Sequence, residues 1–275
     1  MKTIIITGSN SGIGKEAALI LAKAGHRILM MCRDSEKSTQ ARAEVVAQSG
    51  NEKVFLFPVD LADPQAIRTA VAQIKRQYPT IDVLVNNAGV YKVKRTETAS
   101  GLEMMFAVNY LAPFMLSQLL LENLAASSNG RIVNVGSELY KNGSIDLENL
   151  MMKSGYKVGD AYANSKLAGM LFTIELARRT RDKGVTVNAL HPGVLATNSF
   201  RDYPNFIIKF FNLFLERPQK GGERIAYLAT SDDVRKISGG YFYKTEKREI
   251  DISAQERNKS EKLWQIAEEL TGVVS

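Results

Sequence analysis

Apolar residues fall along this chain in two alternating rhythms. Short, mainly apolar runs occupy Thr3–Thr7, the most continuous of them, Arg27–Cys32, Val54–Val59, Ile81–Val85, Arg131–Gly136 and Val185–Leu190. Such runs mark strands buried on both faces of a parallel sheet. Between them, apolar positions recur every three or four residues, the period of an amphipathic helix. The first such stretch runs through Ala17, Ala18, Leu21 and Ala22 and stops at Gly25; the second spans Ser35 to Gln48, before Ser49-Gly50. The third opens at Asp63-Pro64, an N-cap followed by a first-turn proline, and carries Ile67, Val71 and Ile74 inward as far as Tyr78. Long helices are predicted over Leu102–Leu124, with Asn109 in its apolar middle, and over Asp160–Arg179, starting at Gly159-Asp160. Gln219–Ala229 and Lys262–Leu270, which holds the only tryptophan, Trp264, complete the helices; Gly239–Tyr243 reads as a seventh strand. This alternation predicts an α/β, Rossmann-type doubly wound parallel sheet of about seven strands, with helices on both faces. No linker, repeat or low-complexity tract divides the chain, so residues 1–275 are expected to form a single domain.

Composition narrows the function. No run of 18 apolar residues occurs, so no transmembrane segment is expected. The first strand begins at Thr3, which leaves no room for a signal peptide. A lone cysteine, Cys32, permits no internal disulfide and fits a reducing, cytoplasmic setting. The net charge of +7 comes from basic residues interleaved with acids, as between Lys244 and Lys262. That pattern argues against nucleic acid and for solubility with an attraction to anionic small ligands. Two histidines, without HExxH or CxxC, predict no metal site. His26 is expected at the surface, and His191 in a structural role.

The candidate chemistry sits where strands end. After the first strand comes Gly8-Ser9-Asn10-Ser11-Gly12-Ile13-Gly14, then a helix. A strand passing through a glycine turn into a helix N-terminus presents backbone N–H groups and a positive dipole end, where a pyrophosphate binds. The spacing is G-x-x-x-G-x-G rather than G-x-G-x-x-G. Past the second strand a NAD site wants a carboxylate for the ribose; here Cys32 is followed by Arg33, whose guanidinium suits a 2′-phosphate. NADP(H) is therefore expected over NAD(H), with Asp34 the one residue against it. Asp60-Leu61 follow the third strand, and Asn86-Asn87-Ala88-Gly89 the fourth, where small residues let a backbone approach a ligand. Ser137 ends the fifth strand, and His191-Pro192-Gly193 the sixth, with Thr197 four residues on. Gly8, Arg33, Asp60, Asn86, Ser137 and Pro192 thus share one edge of a parallel sheet, along which ligands bind. Tyr162 and Lys166 lie one helical turn apart, which puts an ammonium beneath a phenol and favours the phenol's ionised form. Such a tyrosine is a candidate general acid/base.

Together these residues resemble the short-chain dehydrogenase/reductase family. The match lies in Thr7-Gly8-x-x-x-Gly12-Ile13-Gly14, Asp60, Asn86-Asn87-Ala88-Gly89, Asn109, Ser137, Tyr162-x-x-x-Lys166 and Pro192-Gly193-x-x-x-Thr197. It runs from Thr3 to about Thr197. Cys32-Arg33-Asp34, the 25-residue step from Ser137 to Tyr162 and the wording His191-Pro192-Gly193 are similar to the retinol-dehydrogenase-like branch. Gly136 departs from it, since many relatives carry a second serine there. The resemblance implies that Tyr162 passes a proton to or from the substrate oxygen and that Ser137 hydrogen-bonds that oxygen. It implies that Lys166 assists Tyr162 and holds the nicotinamide ribose, while Asn109 fixes a water linking Lys166 to solvent. Asp60 would face the adenine, Asn87 to Gly89 the adenosine ribose side, and Thr197 the carboxamide. The resemblance also implies a homodimer built on the two long helices.

Beyond Thr197 the motifs stop, and Phe200–Leu215 is rich in large apolar side chains. An apolar lid over about 198–218 is expected, with a bulky apolar carbonyl or alcohol as substrate. Peripheral membrane contact by 200–217, rimmed by Arg201, Lys209 and Arg217, is an alternative use of that segment. The competing reading of the whole chain is a catalytically silent dinucleotide sensor or partner-binding protein, for which Tyr162, Lys166 and Ser137 would have no use.

Overall fold

Every parallel strand of the core leads its backbone to the same edge of one sheet. The computed structural model describes residues 1–193 and 216–274. Strands β1 (Thr3–Thr7), β2 (Arg27–Cys32), β3 (Val54–Pro58), β4 (Val83–Asn86), β5 (Gly130–Val135), β6 (Val185–His191) and β7 (Tyr241–Tyr243) are parallel. The sheet order is β3-β2-β1-β4-β5-β6-β7-β8. The order reverses between β1 and β4, which opens a crevice at their carboxyl ends. The eighth strand, β8 (Glu246–Arg248), pairs antiparallel with β7 and corrects the expected count of about seven. All three of its residues are exposed, so no hydrophobic pattern announced it.

Two apolar layers hold the helices to the sheet. On one face α1 (Gly12–Lys23) and α2 (Glu36–Ser49) pack with Ile4, Ile6, Ile28 and Met30. They are joined there by α8 (Pro218–Thr230), whose Gly222 has no room for a side chain: a Cβ would stand 2.6 Å from the Cβ of Glu16. On the other face lie α3 (Pro64–Gln77) and α7 (Val158–Arg179). The start of α3 matches its signals, with Asp63 accepting from the Gln65 N–H at 2.8 Å. α7 begins a turn edge earlier than Gly159-Asp160, at Val158, with Lys157 as an N-cap that makes no side-chain bond.

The expected helix over Leu102–Leu124 is broken into α4 (Met104–Phe106), a π-helical turn (Ala107–Leu111), α5 (Ala112–Leu119) and α6 (Leu121–Ala125). Pro113 explains the break. It has no N–H for the carbonyl four residues back, that of Asn109, so the ladder widens and Ala112 N–H donates to Ala107 instead. The last helices are α9 (Ala254–Arg257) and α10 (Ser260–Thr271). Trp264 of α10 packs against Phe114 of α5 at 4.9 Å and Phe172 of α7 at 5.9 Å between ring centroids. Arg179 lies over the indole at 4.3 Å, and Tyr110 donates to the Leu263 carbonyl. The C-terminal helix thus packs against both of the helical segments named in the homodimer expectation. Among the described residues no helix is long and apolar enough to cross a membrane, and no cluster of metal-ligating side chains occurs.

Candidate functional site

At the exit of β1 the side chains of the glycine turn face the protein. Gly8 and Gly12 take φ +64 and +55, open only to glycine without strain. Gly14 starts α1 so close to β4 that an added Cβ would lie 2.3 Å from the Asn87 amide nitrogen. Thr7 Oγ1 accepts from the N–H groups of both Asn87 and Ala88 at 2.9 Å. Asn87 returns the contact by donating to the Thr7 carbonyl at 2.8 Å. Ser9 is fully buried and donates to the Ile6 carbonyl, with Cys32 Sγ 3.4 Å away. Asn10 donates to Ser38 Oγ at 2.9 Å, and Ser38 in turn donates to the Arg33 carbonyl at 2.7 Å. The side chains of Ser9, Asn10 and Asn87, expected at a cofactor, are therefore engaged within the fold and shape the turn.

What remains for a ligand is backbone and Ser11. Ser11 is the N-cap of α1, yet its side chain makes no capping bond, and open space surrounds the position of a Cβ at Gly12. A helix N-terminus with a spare hydroxyl and a bare glycine fits an anionic pyrophosphate. Arg33 is exposed, and its guanidinium has no partner among the described residues. Asp60 is exposed and accepts from the Ala62 N–H, while Leu61 packs against the core.

The second group gathers where β4 and β5 meet α7. Lys166 Nζ lies 5.6 Å from the Tyr162 ring centroid and donates to the Val135 carbonyl at 3.2 Å, two residues before Ser137. Gly89 comes to the same place: a Cβ there would be 3.7 Å from Lys166 Nζ and 3.3 Å from Asn109 Oδ1. Asn109 accepts from the Val90 N–H at 2.8 Å and donates to the Val90 carbonyl at 3.0 Å. Its amide also donates to Ser165 Oγ, which donates to the Tyr162 carbonyl. Asn109 is thus a bracket between the β4 exit and α7, and its side-chain bonds go to protein. Ser137 caps a 3-10 turn (Glu138–Asn142), where its Oγ accepts from the Leu139 N–H at 3.3 Å. The Tyr162 hydroxyl has no hydrogen-bond partner among the described residues, and the Tyr91 ring meets it edge-on at 5.2 Å.

Beneath this group a buried polar chain fixes α7 on the sheet. Asn86 donates to Asn134 Oδ1 at 2.8 Å, and Asn134 donates to Thr173 Oγ1 at 2.9 Å. Thr173 sits two turns past Lys166 on the same helix face. Sequence reasoning missed Ser165, Tyr91, Asn134 and Thr173, whose partners lie far along the chain; none carries a local signal.

His191, at the end of β6, is 7% exposed, and its Nδ1 has no partner among the described residues. Burial drives its pKa down to about 4; Glu138 opposes the shift, and the charges of Lys166, Arg224 and Lys244 reinforce it. The imidazole is neutral at pH 7 and adds no second cation beside Lys166. Burial disfavours ionisation of Glu138, but hydrogen bonds from Tyr241 and Lys141 outweigh it and hold that carboxyl below its usual range. His26 is half-buried rather than fully at the surface, its Nδ1 accepting from the Lys2 N–H at 3.3 Å. Pro192 and Gly193 follow β6 as expected; Thr197 and the proposed lid, up to residue 215, lie outside the described residues. A cavity of about 450 Å³ near Gly239, Lys247 and Arg257 opens at the amino end of β7, the end opposite the site.

Comparison with known proteins agrees with this fold. Residues 2–206 match the family described as short chain dehydrogenase. Mouse retinol dehydrogenase 14 is 38% identical, over 99% of this chain and 86% of its own. Human retinol dehydrogenase 11 is 37% identical, over 99% and 86%. Among solved structures, an uncharacterized protein from Mycobacterium paratuberculosis superposes with a TM-score of 0.80 at 29% identity, covering 99% of this chain and 94% of that one. A Shigella flexneri protein described as a short chain dehydrogenase and complexed with NADP gives 0.70 at 25%, covering 89% and 97%. With the glycine turn, the Tyr162–Lys166 pair and the doubly wound sheet in place, the chain belongs to the short-chain dehydrogenase family of oxidoreductases.

Proposed function

We propose that this oxidoreductase uses NADP(H) to interconvert an apolar ketone or aldehyde and its alcohol, with Tyr162 as the general acid/base. The bound nicotinamide would supply or take up the hydride. Tyr162 gives its phenolic proton to the carbonyl oxygen during reduction and removes it from the hydroxyl during oxidation. Ser137 donates a hydrogen bond to that oxygen as negative charge gathers there. Lys166, anchored on the Val135 carbonyl, stands beside the Tyr162 ring and would hold the nicotinamide ribose. Gly12, Ile13 and Ser11 would take the pyrophosphate, and Arg33 the 2′-phosphate that distinguishes NADP(H). The apolar sequence of 200–215 and the retinol in the names of the relatives both favour a bulky apolar substrate. A cytoplasmic setting, surface contact of 200–217 with a membrane and a homodimer belong to the same proposal.

One observation carries this reading. The phenol of Tyr162 has no partner among the described residues, in a site where Asn109, Ser165 and Lys166 are all tied down around it. Tyr162→Phe keeps the ring and removes only the hydroxyl that carries the proton. Turnover of apolar aldehydes with NADPH, followed by nicotinamide absorbance, is expected to fall by roughly 10²–10⁴. NADPH binding should persist. Undiminished turnover would refute the assignment.

A further inference from the structure

Arg224 stands on α8, on the face of the sheet opposite Tyr162, and reaches over the end of β6. One of its nitrogens donates to the Pro192 carbonyl at 2.6 Å, and another pairs with Glu216. Lys244 Nζ takes the second oxygen of Glu216 at 2.6 Å, while its backbone N–H donates to the His191 carbonyl at 2.9 Å. The Arg224 side chain is only 12% exposed, so its charge depends on these partners rather than on water. One backbone feature agrees that the arrangement is built. Gly193, at φ +94, leaves its side-chain space to the guanidinium: a Cβ there would lie 2.7 Å from Arg224 Nη1.

We propose that Arg224, held by Glu216 and Lys244, is a positioning residue for the nicotinamide half of the cofactor. The guanidinium fixes the Pro192 carbonyl on its own side. The C=O and N–H of a trans peptide point opposite ways, so the Gly193 N–H is directed to the other side. That N–H makes no backbone hydrogen bond among the described residues. It is the donor the turn offers to the nicotinamide end of a dinucleotide. The planar fork of arginine suits the task because two separate nitrogens reach the carbonyl and the carboxylate in a fixed plane; a lysine presents all its donors from a single atom on a flexible stem.

This inference rests on the NADP(H) reading above, and one pair of ligands separates the two. NADPH spans both halves of the site; adenosine 2′,5′-bisphosphate fills only the adenosine half. Both dissociation constants are measured on the full chain by calorimetry. Arg224→Met should weaken NADPH tenfold or more and leave the bisphosphate within twofold. Arg224→Lys should lose most of the same affinity, which a simple need for positive charge would not predict. Glu216→Gln, a milder change that keeps the shape, should show the same selectivity at severalfold. If Arg224→Met lost stability, Glu216→Gln would decide the question alone. Equal loss of both ligands in the variants, or no loss of either, would overturn the clasp while leaving the cofactor assignment intact. A wild-type chain that bound neither would sink the cofactor reading and this inference together.

Discussion

The two halves of the crevice use their side chains in opposite ways. At the exit of β1, the polar side chains of Thr7, Ser9, Asn10 and Asn87 all bond to protein and leave backbone N–H groups facing outward. At the meeting of β5 and α7, the bonded groups form a frame, and the Tyr162 hydroxyl is left without a partner among the described residues. Under the proposed function, the difference follows from what each half would have to recognise. A pyrophosphate is a diffuse anion that backbone dipoles can hold, so side chains there serve the shape of the loop. A proton transfer needs one specific atom at one place, and such an atom has to be withheld from structural bonding. Substitutions that disturb the loop-shaping contacts of the first half should therefore act on stability and affinity together, and those that remove a withheld hydroxyl in the second on rate alone.

Ser137→Ala tests that division most severely. Removing a donor to the developing oxyanion is expected to cost about 10²–10³ in kcat. Among the described residues its hydroxyl takes part in one bond, from an N–H in a surface turn at 3.3 Å, so the urea midpoint and NADPH affinity should stay near wild type. A variant that unfolded early but turned over normally would reverse the roles of the halves.

The same division decides how much of the protein was legible beforehand. Ile4 to Ile6 and Val83 to Val85 are buried on both faces, so their apolar runs announced the strands, and with them the strand ends where Gly8 and Asn87 stand. Tyr162 and Lys166 were legible because helix geometry converts a four-residue spacing into a shared face. The frame around them was not. Asn109 meets Val90 and Ser165, and Arg224 meets Pro192 and Glu216, only after the sheet has assembled. No local pattern encodes such pairs. Pro113 did carry a signal for the π-helical turn, but the apolar run around it read more strongly as one continuous helix. The strand β8 has no apolar face to read at all.

His191 gives the second half a pH signature. Its pKa falls from 6.5 to about 4 on folding, so the unfolded chain takes up its proton first as pH drops. The neutral-imidazole contribution is complete above pH 6.5 and is lost as the pH falls toward 4. The full loss is on the order of 3 kcal/mol, of which roughly 2 kcal/mol has gone by pH 5. His26, also lowered chiefly by burial, works in the same direction, whereas Glu103, raised by burial, works against it. The lowered carboxylates of Glu138, Glu175, Glu216 and Glu256 act only below about pH 4.5. Comparing wild type with His191→Asn by urea unfolding at pH 7 and pH 5 cancels the groups common to both. The wild type should lose roughly 2 kcal/mol more than the variant between the two. Parallel losses would mean that His191 is charged inside the protein.

Gly14→Ala asks the first half to fail as a structure. The added methyl would meet the Asn87 amide at 2.3 Å and the Gly8 carbonyl at 2.8 Å, and Asn87 cannot withdraw without breaking its bond to Thr7. Overpacking of this kind costs about 1–3 kcal/mol. Stability and NADPH affinity should fall together, with kcat at saturating cofactor close to wild type. A loss of kcat alone, with affinity kept, would place Gly14 in the chemistry and erase the contrast.

The smallest expected effect is the most discriminating about cofactor choice. Arg33 is exposed and contributes to the fold only through its backbone carbonyl, which accepts from Ser35 and Ser38. Replacing it by Asp should therefore leave stability unchanged. A charge-assisted bond to a 2′-phosphate is worth about 1.5–3 kcal/mol, and exposure to solvent puts this one at the lower end. NADPH affinity should fall about tenfold, and the loss should shrink as salt is raised, because the interaction lies in water within reach of counterions. NADH, which has no 2′-phosphate and can offer its ribose hydroxyls to the new carboxylate, should bind as well as before or better. Arg33 would then join Ser11 as a side chain of the first half that reads the ligand directly. Equal weakening of the two cofactors would leave that half to the backbone and Ser11, and would sharpen the contrast with the Tyr162 end.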